Sequence, residues 1–423
     1  MRTSEPEAFT VDEVLPARRS LRIAVVTETW PPEVNGVAAT IARVVEGLRD
    51  NGHSIQLVRP RQGSNDRAPG FDPEGGSGLH EVLMRGLPIP RYPQLKMGLP
   101  AKRALTELWT LHRPDVVHLV TEGPLGWSAL QTATRMKLPT VSEFRTNFHA
   151  YSRHYGMKWL TNPIMGYLRK FHNRTACTMV PTEALRADLE KQGFDRLQVV
   201  ARGVDTQRFD PSRRSAALRA SWGVDESTMV VLYVGRLAPE KNLDRLVAAF
   251  GAMRAQDPRC RLVLVGDGPS AASLRLQCPD AVFAGVQRGI ALAEHYASGD
   301  VFVFPSLTET FGNVVPEAMA SGLAVLAFDE AAAGQLIRHG VNGQLAPSDD
   351  GEGFVQLAAH LAAHPQERMP LGAAARRTTE AMDWERIVKQ VEQHHLAAVQ
   401  ASMRRLSGAM SLASTLPQPP RTA

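Results

Sequence analysis

At 423 residues the chain exceeds what one hydrophobic core usually serves, and two domains are expected. Apolar residues at 43% and charged residues at 22% are those of an ordinary globular protein, while 6% aromatics argue against a repeat or aromatic-rich β architecture. A formal charge of +5 and a pI near 9.2 fit anionic partners in general, and select neither nucleotide, lipid nor nucleic acid.

Residues 1–20 are polar and aperiodic and read as a disordered leader; Glu5, Glu7, Asp12 and Glu13 leave no apolar segment for a signal peptide. A rhythm then begins. The apolar run Leu21 to Val26 precedes a Pro/Gly loop, Trp30 to Gly36, and a helical pattern from Val37 to Arg49. Strands are expected at Ile55 to Val58, Val116 to Val120, Thr140 to Ser142 and Thr178 to Pro181, with a helix at Ala101 to His112. Short continuous apolar strands alternating with helices indicate a parallel sheet covered on both faces.

The rhythm restarts after Arg202-Gly203-Val204-Asp205. Strands are expected at Val230 to Val234, Arg261 to Val265, Val301 to Phe304 and Ala324 to Ala327, and helices are led by Leu243, Ser270, Ile290 and Pro316. The expected organisation is a leader (1–20), a first Rossmann-like, doubly wound domain (21–203), a second such domain (204–383), a C-terminal helix (384–402) and a disordered tail (403–423). No run approaches the ~20 apolar residues that span a bilayer. Cys177, Cys260 and Cys278 lack CxxC or Cys/His spacing, so neither disulfides nor a zinc site are expected, and a reducing cytosol is the natural compartment.

In tandem α/β domains, ligands bind where strand C-termini and helix N-termini border a crevice. The oddest such loop is Leu307 to Gly322. Glu309 follows a strand end, Phe311-Gly312-Asn313 place backbone N–H groups at a helix mouth that favours a phosphate, and Pro316 and Glu317 lie in the first turns. Two carboxylates flanking an anion site suit the paired hydroxyls of sugar and ribose; the plain alternative is acidic bias toward the helix dipole. In Tyr233 to Asn242, a strand runs into Gly235, and Arg236 and Lys241 can clamp a diphosphate and stabilise its departure, or be surface cations. Gly266-Asp267-Gly268 reads as a structural turn, and Phe283 to Val286 as another close backbone approach. In the first domain, Gly36 opens a helix, and Ser142 to Tyr151 gathers polar groups after a strand end. His118 and His149 are the titratable candidates, with a structural histidine the commoner reading. No G-x-G-x-x-G or Walker pattern is present.

Together these segments resemble the retaining glycosyltransferase family commonly numbered four, of the two-Rossmann-domain GT-B architecture, from about Arg22 to Val399. The resemblance rests on Glu309 and Glu317 with seven residues between them, Gly-Arg-Leu-x-Pro-Glu-Lys-Asn from Gly235, Gly-Asp-Gly-Pro from Gly266 and Gly-Val-Asn-Gly from Gly340. It implies Arg236 and Lys241 on the donor diphosphate, Glu317 on ribose, Glu309 on the transferred sugar, and His149 as a further catalytic candidate. Gly36, Arg145, Gly235, Val286, Thr310, Phe311, Gly312, Asn313 and Val314 complete the implied donor site. It further implies transfer with retention, a nucleotide-sugar co-substrate, and no cofactor or catalytic metal.

The first half resembles the branch of GDP-mannose-dependent α-mannosyltransferases and sulfoquinovosyl-diacylglycerol synthases, through Thr27-Glu-Thr-Trp-Pro-Pro, Thr121 to Gly126 and Arg145-Thr-Asn-Phe-His149. Many relatives carry histidine where Arg145 stands. A guanidinium there suits a carboxylated or sulfonated sugar, or the phosphates. Met84 to Arg103 carries Arg85, Arg91, Lys96, Lys102 and Arg103 without an acid, among apolar residues. This suits docking on an anionic membrane to reach a lipid acceptor as well as it suits a solvated loop. The resulting expectation is a cytoplasmic hexosyltransferase, peripheral on the inner face of the membrane, acting on a lipid or glycan acceptor and not on nucleic acid. The alternatives are a non-catalytic nucleotide-sugar or nucleic-acid binder, or a phosphorylase or epimerase on the same architecture.

Overall fold

The computed structural model describes residues 20–33, 35–63, 65–67, 78–89, 92–145 and 161–414. The first domain runs β1 (Arg22–Val26), α1 (Gly36–Asp50), β2 (Ser54–Pro60), β3 (Leu79–Met84), the hairpin β4 (Gly86–Ile89) and β5 (Tyr92–Gly98), α2 (Lys102–Leu111), β6 (Val116–Leu119), α3 (Pro124–Arg135), β7 (Thr140–Glu143), α4 (Thr161–His172), β8 (Cys177–Val180), α5 (Glu183–Lys191) and β9 (Leu197–Val199). Seven parallel strands lie in the order β3-β2-β1-β6-β7-β8-β9. All four residues of β6 and of β7 are buried, which is why these strands read as unbroken runs.

The second domain runs α6 (Ala216–Ser221), β10 (Val230–Val234), α7 (Leu243–Gln256), β11 (Arg261–Val265), α8 (Ala271–Gln277), β12 (Val282–Gly285), α9 (Gly289–Ala297), β13 (Val301–Phe304), α10 (Val314–Ala320), β14 (Ala324–Phe328), α11 (Ala331–Leu336), β15 (Gln344–Ala346), α12 (Gly351–Ala363) and α13 (Pro365–Thr379). Its sheet is also parallel, ordered β12-β11-β10-β13-β14-β15. In each sheet the strand order reverses once, between β1 and β6 and between β10 and β13. A crevice opens beyond the carboxyl ends of strands at such a reversal. The loops that follow these strands are therefore the ones to search for chemistry.

The last helix, α14 (Trp384–Ser414), returns to the first domain. Its Ile387, Val388, Val391, Ala398 and Val399 complete the core built by Ile23, Ile41, Val44 and Val45. The helix continues well beyond residue 402, and residues 403–414, expected as disordered tail, are helical. Nothing between Met403 and Ser414 breaks a helix except the tolerated Gly408; the first proline is Pro417. The basic segment from Met84 also differs from the expected loop: it is the hairpin β4–β5, leading into α2.

Two chain crossings join the domains side by side. Val204 N–H donates to Met382 O at 3.0 Å, and a Cβ on Gly203 would lie 2.9 Å from the Trp384 ring. Glycine is needed at 203 because the second crossing passes directly over the first.

Candidate active site between the two sheets

The loop after β10 is shaped by backbone contact. Gly235 N–H donates to Val265 O at 2.9 Å, and a Cβ on Gly266 would lie 2.0 Å from Gly235 O. Gly266-Asp267-Gly268 is thus explained by packing of the β10 and β11 loops, as its sequence suggested. Arg236 then pairs with the buried Glu240. A 3-10 turn, Pro239–Lys241, ends at Asn242 (φ +55°), whose Nδ2 donates to Pro305 O at 3.1 Å. That bond locks the β10 loop onto the β13 loop and delivers Lys241 to Glu309.

Lys241 Nζ ion-pairs with Glu309 Oε1, which also accepts the Ser306 hydroxyl at 2.8 Å. Burial alone would raise the Glu309 carboxyl, but Lys241, Ser306 and Arg202 more than offset it and hold the group below its ordinary value. Gly312, at φ +86°, turns the chain back over Glu309; its Cβ position lies 3.3 Å from Glu309 Cγ. Left-handed backbone at this spot favours glycine. α10 opens next, and Glu317 N–H is taken by Asn313 O at 3.2 Å. Glu317 Oε2 accepts the Tyr296 hydroxyl at 2.8 Å, and burial pushes its carboxyl up to about 7 against that bond.

The first domain meets this loop directly. Thr310 Oγ1 donates to Arg145 O at 2.8 Å, and Asn313 Nδ2 lies 3.4 Å from Gly36 O and 3.3 Å from Thr40 Oγ1. A side chain at Gly36 would press on Asn313, whose Nδ2 is 3.3 Å from the Cβ position. Arg202, buried in the linker, donates to Asn313 Oδ1 at 3.0 Å with its guanidinium 5.3 Å from the centre of the Phe311 ring. Burial, then the neighbouring Arg145, pulls the Arg202 guanidinium down to about 9, opposed by Glu143 and Glu309.

Arg145 is itself buried and ion-paired to Glu143, whose other oxygen lies 2.7 Å from His118 Nε2. His118 is thus tied to a carboxylate in the core rather than offered to a substrate.

The structure therefore brings Gly36, Arg145, Gly235, Arg236, Lys241, Glu309, Thr310, Phe311, Gly312, Asn313 and Glu317 to one interdomain region. Val314 begins α10, half-buried against the second core. Val286 stands apart: it is 48% exposed after β12, the outermost strand and two removed from β10. His149 lies outside the described residues. Sequence reading missed Arg202, Glu143, Ser306 and Tyr296. In the sequence Arg202 marks only a domain boundary, and no local pattern marks a linker residue that folds back onto a helix mouth 111 residues later.

The Thr27 to Gly36 motif is mostly a loop lock. Glu28 accepts Leu125 N–H at 2.9 Å at the start of α3, and Gly123 leaves room for its carboxylate. Burial raises this carboxyl to about 7 despite backbone hydrogen bonds from Leu125, Gly98 and Gly126. Asn35 caps α1 through Ala38 N–H at 2.8 Å. Among the described residues, the one cluster of three or more groups with metal-ligand chemistry is His360, His364 and Glu367, at the junction of α12 and α13.

Chemically, the cleft holds the Glu309 carboxylate, held below its ordinary value, the Glu317 carboxyl, pushed up to about 7, and four cationic groups, Arg145, Arg202, Arg236 and Lys241. That set can bind a diphosphate between hydroxyl-bearing rings.

Comparison with known proteins agrees. Residues 34–208 match the family described as Glycosyltransferase Family 4, and residues 228–364 match glycosyl transferases group 1. A GDP-mannose-dependent alpha-mannosyltransferase of Mycobacterium tuberculosis is 38% identical over 383 residues, covering 89% of this chain and 97% of its own. A sulfoquinovosyl transferase of Arabidopsis thaliana is 30% identical, covering 89% and 74% respectively. In fold, the chain is similar to a sucrose-phosphate synthase from Thermosynechococcus elongatus, with a TM-score of 0.74 and 20% identity over 90% of this chain and all of that one. It is likewise similar to Anabaena HepE in complex with UDP-glucose, with a TM-score of 0.70 and 18% identity over 89% and 100%. The chain belongs to glycosyltransferase family 4: it is a GT-B glycosyltransferase acting on a nucleotide sugar.

Proposed function

We propose that the protein moves a hexose, with retention of configuration, from GDP-mannose or a UDP-hexose to a hydroxyl of a glycolipid or glycan precursor. One observation carries the reading most: Lys241 and Glu309, 68 positions apart, pair at the strand-order reversal, facing Arg145 and Arg202 of the other side. Arg236 and Lys241 would hold the diphosphate as the bond from the anomeric carbon to phosphate oxygen breaks. The acceptor oxygen bonds that carbon on the same face, and its proton passes to the leaving phosphate. Glu309, kept ionised, accepts hydroxyl hydrogens of the sugar, and Glu317 those of ribose. Leaving-group charge is met by fixed cations, so no metal is required.

The GDP-mannose-dependent relatives favour a mannosyl donor, and the similarity to alpha-monoglucosyldiacylglycerol synthases favours a lipid acceptor. The hairpin β4–β5, with exposed Arg85 and Leu87, would give peripheral contact with an anionic membrane on the cytoplasmic side. None of the described helices is long and apolar enough to cross a membrane.

The test is a thermal-shift screen of GDP- and UDP-sugars followed by product analysis with lipid acceptors, since a bound donor stabilises the folded state. Stabilisation by one donor class and a glycosylated product are expected; neither with any donor overturns the reading. Glu317→Ala should weaken donor binding about tenfold, the order expected on losing hydrogen bonds to a charged group, with the fold intact. Turnover should survive excess EDTA; loss restored by magnesium or manganese would count against metal-free leaving-group stabilisation.

A further inference from the structure

Arg145 belongs to the donor site that the family resemblance implies, and a lone guanidinium there would invite an acidic sugar. The structure does not leave it alone. Its Nε faces Glu143 Oε2, while Glu143 Oε1 lies 2.7 Å from His118 Nε2. His118 Nδ1 in turn lies 3.3 Å from Nε2 of His395, a buried residue of α14. A carboxylate only accepts, so His118 Nε2 carries a hydrogen toward it. His395 is kept neutral by burial and by His118 and His53, and its Nδ1 has no partner among the described residues. Glu143 is thus gripped from two sides, and Arg145 and His118 overcome the burial that would otherwise protonate it. The Arg145 carbonyl receives Thr310, next to Glu309, which fixes this residue at the cleft. Among the described residues its terminal nitrogens make no hydrogen bond.

We infer that Glu143 is a positioning residue that sets donor specificity through Arg145. It cancels the guanidinium's charge and fixes its direction, leaving the Nη groups to donate to a neutral sugar hydroxyl and disfavouring a carboxylated sugar. The ionised Glu143 beside the site repels a second carboxylate, and the arginine has no uncompensated charge to reward one. The inference rests on the donor-site reading above, and replaces the acidic-sugar preference that Arg145 alone suggests.

The test measures the affinity of purified full-length protein for GDP, UDP and two matched pairs: GDP-mannose with GDP-mannuronate, and UDP-glucose with UDP-glucuronate. The wild type should bind the neutral member more tightly by about tenfold, the size of one uncompensated charge contact. Glu143→Gln should shift that ratio about tenfold toward the uronate and leave GDP and UDP binding unchanged, a selectivity that general destabilisation cannot produce. Arg145→Ala should weaken binding of both members beyond the bare nucleotide. If Arg145→Ala changes the ratio and Glu143→Gln does not, Glu143 does not set specificity. If Arg145→Ala changes nothing, Arg145 is outside the donor site and the donor-site reading of this residue fails with it. Should Glu143→Gln not fold, Arg145→Lys decides. It keeps the charge cancelled and loses the fork, so the ratio should stay within about threefold of wild type; a swing of about tenfold toward the uronate overturns the inference.

Discussion

Glu317 is where one side chain's surroundings determine behaviour that can be measured without a substrate. Its carboxyl is raised from an ordinary 4.5 to about 7 because burial outweighs the Tyr296 hydroxyl and the charge of Arg208, which favour the ionised form. A folded-state value above the unfolded one means the folded protein binds the extra proton, so stability falls as pH rises between these values. The penalty is absent below about 4.5 and complete above about 7. Glu317→Gln, which keeps the shape and drops the charge, should therefore stabilise the free protein at pH 8 by about 1–3 kcal/mol and leave it unchanged near pH 4. Melting curves at the two pH values decide it, and an equal effect at both would show that burial does not disfavour the charge. Ribose hydroxyls donate hydrogen bonds and so favour the ionised form. Under the proposed function, donor affinity should rise with pH through 7, and Glu317→Gln should flatten that rise.

At the scale of elements, what could be read from sequence was what burial makes uniform. β1, β10, β11, β13 and β14 are apolar almost throughout because helices cover both faces, and each was legible. β3, β9, β12 and β15 were not. β3 and β12 are edge strands, half-exposed along nearly their whole length, and β9 and β15 are only three residues long. The site followed the same division. Glu309, Glu317, Arg236 and Lys241 lie in compact loop motifs, whereas Arg202 and Glu143 acquire their roles from tertiary approach.

The return of α14 to the first domain was equally hidden, because its apolar face gives no address. That address is written on α1, where Gly47 admits Val388: a Cβ there would stand 2.5 Å from Val388 Cγ2. Gly47→Val should thus cost about 1–3 kcal/mol through overpacking, despite removing a helix glycine. Adding Val388→Ala should recover part of the loss. Denaturant unfolding of the single and double variants tests the coupling, and simple additivity would mean that the two helices do not meet here.

Across the whole molecule, the cleft is also the seam that joins the halves. Arg43 pairs with Asp205 at 2.8 Å, Thr310 reaches the Arg145 carbonyl, and Asn313 bridges Arg202 to Gly36 and Thr40. Four of these contacts come from the same loop that carries Glu309, so donor contact and domain contact share a segment of chain. Asn313 is the centre of that arrangement: its oxygen accepts from the linker and its nitrogen faces the first helix of the other domain. Asn313→Ala removes both and leaves the buried Arg202 without its acceptor.

A lost hydrogen bond to a charged group is worth about 1.5–3 kcal/mol, enough to move a two-state equilibrium more than about tenfold toward separated domains. The free variant should therefore scatter X-rays with a larger radius of gyration than wild type, and saturating donor should bring the two together. Apparent donor affinity should fall in proportion to the joined population, with the loss appearing for GDP alone as well as for GDP-mannose. Unchanged scattering together with unchanged nucleotide affinity would show that the seam is held elsewhere, by the Gly203–Trp384 crossing and the Arg43–Asp205 pair. A weaker affinity at unchanged radius would assign Asn313 to the donor alone.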